Sequence, residues 1–343
     1  MTDILKQVAG IDVAQKELVV SLGRIGHSLN TDVYRCKAFA NKLSGFKAMI
    51  AWINRYTEEQ VPVRYVMEAT GVYHESLAYY LSDHGLESSI VLPNKISNYF
   101  RTLDEKSITD KTASAAICQF GLERKLEVWK KPKRIFKTLK QLTRERDQLI
   151  SERTLLKNQL HAERAEAEPS EDSVTRMKAR IALINKQEAE IRSELAATIK
   201  KDPEITGQVN NIISIPGIGK LTAAIILAET NGFDLIRNKR QLVSYSGLDV
   251  RVKDSGTSVK SKPRISKKGN RHLRKAMHMP ALTAISSDQR ARAVFIRLVS
   301  KHGIKMKAVV AVQRKLLEMA YTIWKTGKPY DREYLQRANM ISV

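Results

Sequence analysis

Residues 7–39, QVAGIDVAQKELVVSLGRIGHSLNTDVYRCKAF, decide how the rest of the chain is read. Gln7–Asp12 is a short apolar run that ends in a carboxylate, Glu17–Leu22 is a second β-prone run, and Val33–Phe39 is a third. Three such segments with short polar connections predict an antiparallel meander. Working outward, Leu43, Phe46, Met49, Ile50 and Ile53 recur at helical spacing, so a helix is expected over residues 42–57. Val63–Met67 reads as a further strand, and it too ends in an acid, Glu68, before the turn Ala69-Thr70-Gly71. A helix over residues 74–84, a strand over Ser89–Leu92 and a helix over residues 110–121 follow, the last capped by Thr109 or Asp110.

Three strands, a helix, then alternating strand and helix is the element order of a ribonuclease-H-like α/β domain. Strand ends in such a sheet bring side chains that are distant in sequence to one edge. Asp12 and Glu68 are expected to converge there, with Asp110 joining from the start of its helix. Hard oxygen ligands of this kind suit Mg²⁺, and two such ions can clamp the attacking and leaving oxygens of a phosphodiester. The plainer reading makes each acid a turn former and Asp110 the cap of its own helix. Gly10-Ile11-Asp12 also occurs in actin-like kinases, but Ala14-Gln15-Lys16 does not supply their glycine-rich phosphate loop.

Beyond residue 125 the pattern becomes helical. Leu142, Leu149 and Leu156 are seven apart, and Ile181, Ile184, Ile191, Leu195 and Ile199 resume the spacing after an acidic, proline-containing break at residues 165–172. Two long helices are expected, folded back as a coiled-coil hairpin or paired with another chain. Arg146, Arg153 and Glu188 at seam positions argue against a pure leucine zipper. Residues 212–230, IISIPGIGKLTAAIILAET, place a Pro216-Gly217-Ile218-Gly219 turn between two apolar helical stretches. This resembles a helix-hairpin-helix element, in which glycine lets backbone N–H groups approach a phosphate and Lys220 adds charge.

The formal charge is +23, and its distribution matters more than its size: residues 1–125 carry +1, residues 126–202 carry +5 and residues 203–343 carry +17. A basic C-terminal third points to a polyanion partner. The charge is densest over Arg251–Lys275, RVKDSGTSVKSKPRISKKGNRHLRK, where ten of twenty-five residues are Lys or Arg. Ser255 sits there in a bendable Asp254-Ser255-Gly256, and Lys253, Lys260, Lys262, Arg264, Lys267, Lys268, Arg271 and Arg274 surround it as candidate phosphate contacts. His272 and His278 are candidate bases only if folding brings them near. Cys36 and Cys118 lie far apart with no metal spacing, so both are expected to be small core residues. No signal-peptide pattern and no membrane-length apolar run is present, so a cytoplasmic protein is expected.

Taken together, GIDVAQKEL, VMEATGVY, ITDKTAS, the helical hairpin, SIPGIGKLTAA, YSGLDVRVKDSGTSV, RISKKGNRHLRKAMHMPA and the closing KxGxPYD resemble the DEDD-motif insertion-sequence transposases. These are bridge-RNA-guided serine recombinases, relatives of the Piv invertase. The resemblance runs from about residue 8 to about residue 331. It implies a RuvC-like N-terminal domain with Asp12, Glu68 and Asp110 as three of four metal-binding acids, and a C-terminal transposase domain with Ser255 as nucleophile. It further implies donor and target DNA, a noncoding bridge RNA and a homo-oligomer, dimer or tetramer, as partners. The family's fourth acid, three residues after Asp110, is Ala113 in this chain; either Asp104, Glu105, Thr112 or Ser114 supplies an oxygen in its place, or water fills the gap, or this copy is impaired.

The resulting expectation is an α/β plus α protein with three parts: residues 1–125 a RuvC-like, Mg²⁺-binding domain, 126–202 a coiled-coil hairpin, and 203–343 a basic, mainly helical transposase domain. Its expected activity is DNA cutting and rejoining through a metal-assisted phosphoserine link, with Ser258 as reserve nucleophile. The alternatives are a metal-dependent junction nuclease without a covalent serine step, and a non-catalytic nucleic-acid binder.

Overall fold

The computed structural model describes residues 4–69, 71–103, 105, 107–252, 254–255, 259–260, 264–331 and 333, with backbone alone at 254, 255, 259 and 260. It comprises two compact units, Met1–Lys131 and Pro132–Val343. Among the described residues no helix is long and apolar enough to cross a membrane.

The first unit is built on a five-stranded mixed sheet. Strands β1 (Ile4–Val13), β2 (Glu17–Gly26) and β3 (Thr31–Ala40) form the expected antiparallel meander, and helix α1 (Leu43–Tyr56) then leads to β4 (Val63–Glu68). Helix α2 (Glu75–Asp83) leads to β5 (Ser88–Val91), followed by α3 (Pro93–Phe100) and α4 (Asp110–Glu123). The strand order is β3-β2-β1-β4-β5, with β1, β4 and β5 mutually parallel. β1 is therefore central, which is why it reads as a nearly unbroken apolar run.

Period-two geometry divides β1 between two cores. Ala9, Ile11 and Val13 pack with Phe46, Met49 and Ile53 of α1 and with Leu77 and Leu81 of α2. Val8, Val66 and Val91 face the other way, onto Ile117, Cys118 and Leu122 of α4. Glycine is what lets α4 lie so close. A methyl on Gly10 would meet the backbone N of Cys118 at 2.2 Å, and one on Gly121 would meet Val8 and Val66 side chains at 2.8 and 2.9 Å. Lys6, at the start of β1, fixes the far end of the helix by donating from Nζ to the carbonyls of Gly121, Leu122 and Arg124 at 2.5, 3.0 and 2.9 Å. Cation and carbonyl ends of the helix dipole attract there.

One expectation changes, and one helix is added. Cys118 is buried, and burial pushes its thiol up to about 12, but Cys36 is exposed on β3 and is not a core residue. Helix α3 went unread: Pro93 at its first turn, with Ile96, Tyr99 and Phe100 turned inward, carried the signal.

The second unit is helical. α5 (Arg134–Ala165) and α6 (Glu171–Lys200) form an antiparallel hairpin, in register because Arg146 and Arg153 both reach Glu188, at 2.7 and 2.5 Å. The charged seam residues that weaken a zipper reading thus pair with one another inside one chain. Near its base the hairpin shares a core, through Phe136, Leu139, Ile191 and Leu195, with α7 (Pro203–Ile213), α8 (Lys220–Thr230) and α9 (Lys239–Tyr245). The strip that follows is a narrow hairpin: β6 (Val250–Arg251) pairs with β9 (Arg264–Ile265), and β7 (Asp254–Ser255) pairs with β8 (Val259–Lys260). Helices α10 (Arg271–Ala276), α11 (His278–Ser287), α12 (Gln289–His302) and α13 (Lys305–Thr326) close the unit.

Gly10→Ala is expected to destabilise the first unit by about 1–3 kcal/mol through overpacking. Gly207→Ala on α7, where the new methyl meets nothing within 4 Å, should leave stability unchanged or slightly raised. Thermal melts of the two variants check this.

Candidate metal and nucleic-acid site

Packing of α4 on β1 determines where the acids go. Gly121 lies over Val8, and Cys118 over Gly10; Ser114 lies over Ser21, the strand partner of Gly10, with the two hydroxyls 2.8 Å apart. The helix therefore runs opposite to β1. Eleven helical residues back from Gly121 advance about 16 Å, and four strand residues on from Val8 advance about 13 Å. Asp110 is thus delivered to the end of β1 where Asp12 stands, on the sheet face that Gly10 presents to α4. β1 and β4 are in register at Ile11 and Met67, so Glu68 stands level with Asp12. Val66 faces α4, and Glu68, two residues on, shares that face.

The electrostatics agree with this placement. The Asp12 carboxyl is pushed above its ordinary range, first by burial and second by the charge of Asp110, with a hydrogen bond from the Val13 backbone N–H working against both. Asp110 is not needed as a cap. Thr109 caps α4, its Oγ1 accepting from Thr112 N at 3.2 Å while Thr112 Oγ1 accepts from Thr109 N at 2.8 Å. The capping reading of Asp110 therefore falls away, and its carboxylate is exposed at the helix's first position.

This pair fits a hard divalent cation, because two oxygen anions whose charges already oppose each other gain from one placed between them. The fit is of two carboxylates: among the described residues no three His, Cys, Asp or Glu side chains come close enough together to hold a metal. Thr112 and Ser114 are committed to the fold, Thr112 Oγ1 donating to Ser107 O and Ser114 Oγ to Lys111 O. Glu105 is exposed, and Asp104 lies outside the described residues.

In the second unit, the Ser255 backbone belongs to β7, opposite Val259. Its side chain, the side chain of Lys260, and Lys253, Ser258 and Lys262 altogether lie outside the described residues. The base of this hairpin is clamped: Ser266 N donates to Asp249 O at 2.8 Å and Ser266 Oγ to Asp249 Oδ1 at 2.5 Å. Arg264, Lys267, Lys268 and Arg271 are exposed. Arg274 is half-buried and donates to the Ser246 carbonyl at 2.8 Å, so it holds the Gly247 turn as well as adding charge.

Sequence reading missed the network beneath this strip. Glu229 is buried on α8, yet its carboxyl lies below its ordinary range: burial acts to raise it, and hydrogen bonds from Arg144 and Asn270 outweigh burial. Arg144 of α5 donates to both its oxygens at 2.9 and 3.1 Å, and Asn270 Nδ2 donates at 2.6 Å while its Oδ1 caps α10. One turn along α5, Asp147 meets His272 Nδ1 and Lys275 Nζ, each at 3.2 Å. His278 Nδ1 is 2.9 Å from Gln313 Nε2. Each candidate base is thus engaged in helix packing. Lys267, Arg271, Arg274 and Lys275 line a cleft of 1220 Å³ with Arg144 and Asp147.

The PGIG turn has two different glycines. Gly217, at φ +87°, is demanded by packing, since a methyl there would meet Pro280 O at 2.3 Å; the methyl position of Gly219 faces open space. Gly219 caps α8 without a side chain and Lys220 is exposed beside it.

Residues 9–163 match the DEDD-motif IS110 transposase domain. Residues 209–295 match a second domain, described as Transposase IS116/IS110/IS902 family. The chain belongs to the DEDD-motif IS110-type transposases. As such it is a DNA transposase or recombinase. It is 27% identical to the pilin gene-inverting protein of Moraxella bovis and 26% identical to that of Moraxella lacunata, each over 339 residues covering 95% of this chain and 98% of the relative. The structure of Thermus thermophilus RuvC in complex with a Holliday junction substrate matches 36% of this chain and 99% of that chain at 10% identity, with a TM-score of 0.28, too low for a fold to be assigned from it. The family match corrects one expectation: the chain belongs to the DEDD-motif transposases and not to the serine recombinases, which are a separate class.

The raised Asp12 carboxyl has a stability consequence. Its folded pKa exceeds its unfolded one, so its stabilising contribution is full below the unfolded pKa and is lost as pH rises through the folded pKa. In chelator at neutral pH, Asp12→Asn should therefore raise the melting temperature, whereas at pH 3 the gain should vanish. Divalent metal should raise the melting temperature of the native protein and not of the variant. Glu229→Ala, which leaves the half-exposed Arg144 and Asn270 without their partner, should cost about 1–3 kcal/mol, read by denaturant unfolding.

Proposed function

We propose that this transposase cuts and rejoins DNA of a mobile element with a divided active site: the acid cluster at the end of β1 and the serine of the β7–β8 hairpin. The observation that carries the reading is the approach of Asp12 and Asp110, two carboxylates opposed across a glycine-packed strand and helix with no capping task for Asp110. Asp12 and Asp110, with Glu68 level beside them, would hold Mg²⁺, which when bound supplies charge stabilisation to a scissile phosphate. Ser255 Oγ attacks the phosphorus, forming a phosphoserine ester and releasing a DNA 3′-hydroxyl; a 3′-hydroxyl of the new partner strand then displaces the serine, restoring its hydroxyl. Two transesterifications leave the number of phosphodiester bonds unchanged. Arg264, Lys267, Lys268, Arg271 and Arg274, with Lys253, Lys260 and Lys262, neutralise phosphate charge, and Lys220 with the α8 N-terminus adds a helix-hairpin-helix-like contact.

Sequence choice falls to a noncoding bridge RNA in this reading, with the protein gripping backbone and A-form shape. Supply of the acids and the serine by different copies would make the active species a homo-oligomer. The family resemblance supports both ideas, and the basic C-terminal third accommodates nucleic acid of either kind.

Recombination between donor and target DNA should be lost in both Asp12→Ala and Ser255→Ala. Mg²⁺-dependent cleavage that survives Ser255→Ala would favour the junction nuclease, and no Mg²⁺-dependent strand cleavage by the native protein would leave a binder. Ala113→Asp should tighten metal binding, because a carboxylate there would lie one helical turn from Asp110; unchanged titration curves would mean another group already fills that place.

A further inference from the structure

Lys239 and Arg240, at the start of α9, and Lys325, in the last turn of α13, belong to none of the features assigned above. They line a cleft of 600 Å³ together with Arg237, and among the described residues that line it none is acidic. Lys239, Arg240 and Lys325 are exposed, and among the described residues they make no ion pair. Like charges gathered on two packed helices repel one another, and a polyanion relieves that repulsion. Lys239 also lines an adjoining cleft of 690 Å³ with Lys315, Lys328 and Arg290. Glu318 and Asp331 line it too, and Glu318 is engaged by Arg314 Nε at 2.9 Å.

The lining also says what kind of polyanion fits. The aromatic side chain among the described residues of the first cleft is Tyr321. It is buried, its hydroxyl donates to the Arg237 carbonyl at 3.0 Å, and its ring packs against Phe233 and Trp324 at 5.4 and 5.8 Å. Among the described residues that line it no ring is offered for stacking an unpaired base, so the cleft suits the phosphodiester backbone of a duplex and not a splayed single strand.

This face is not a continuation of the 264–275 strip. Met306, Val310 and Gln313 of α13 line the cleft beside that strip, whereas Thr322, Lys325 and Thr326 line this one. At 3.6 residues per turn the two sets point roughly 150° apart and are separated by about 20 Å along the helix. One straight duplex segment does not lie along both.

We propose that the α9–α13 face is a second nucleic-acid backbone site, so that one C-terminal unit holds two duplex segments at once. The inference rests on the reading of that unit as nucleic-acid-binding. It is tested on the full-length protein by anisotropy titrations of a short mixed-sequence DNA duplex and of the matching RNA duplex across a salt series. Three triple variants are compared: Lys239→Ala/Arg240→Ala/Lys325→Ala on this face, Lys267→Ala/Lys268→Ala/Arg271→Ala on the strip, and Lys157→Ala/Lys178→Ala/Arg180→Ala on the exposed hairpin as a net-charge control. The face variant should make the slope of log K against log salt shallower by about 2–3, since each lost phosphate contact removes roughly 0.9, and its effect should add to that of the strip variant. Loss confined to the DNA or to the RNA duplex supports the site and identifies its occupant. A face variant that matches the hairpin control while the strip variant weakens overturns this inference alone. Failure of the native protein to bind either duplex overturns it together with the reading it rests on.

Discussion

The contact on which the N-terminal unit depends is the one between Gly10 of β1 and the backbone of α4 at Cys118. Without a side chain at residue 10 the helix settles directly on the central strand, and Gly121 repeats the arrangement one step back, over Val8 and Val66. Lys6 holds the C-terminal carbonyls of α4, so the helix can neither slide nor lift. With that end fixed, the rise of a helix and the rise of a strand leave Asp110 next to Asp12. The raised Asp12 carboxyl is the electrostatic cost of that arrangement. Carboxylates perturbed in this way cluster at functional sites, and that is the physical ground on which Asp12 and Asp110 are candidates.

In the second unit the same role falls to charge pairs on α5, one of them with the buried Glu229. Arg144 and Asp147, one turn apart on α5, bind Glu229 on α8 and the His272–Lys275 side of α10. Asn270 bridges Glu229 to the first turn of α10, directly after the strip that carries the positive charge. The hairpin thus anchors the helix that follows the serine segment. Salt bridges of this kind add less to net stability than to fixing one arrangement over its alternatives.

Much of this was legible in the sequence because it rests on periodicity. The meander over residues 7–39, the strand ending at Glu68 and the helix beginning at Asp110 follow from apolar spacing and cap chemistry, and their order fixed the sheet. Asp12 and Asp110 could be nominated because each closes or opens an element. What could not be read is what three-dimensional packing decides. The exposure of Cys36 depends on which face of β3 is covered. Gly217 looks like a phosphate-binding glycine in sequence and proves to be a close-packing one against α11. The Arg144–Glu229–Asn270 network joins residues up to 126 positions apart, and nothing in local spacing announces it. Charge counting locates the basic third but does not say which faces of its helices carry the charge.

The central claim is that carboxylates in one unit and a serine in the other serve a single metal-dependent strand transfer. Its most direct test is mass spectrometry of protein quenched during reaction with its donor DNA and digested with trypsin. The account predicts a nucleotide adduct on the peptide Asp254–Lys260, located to Ser255, formed with Mg²⁺ and absent when Asp12 is replaced by Asn. Strand cleavage with no adduct on that peptide, or an adduct that forms equally in chelator, would contradict it.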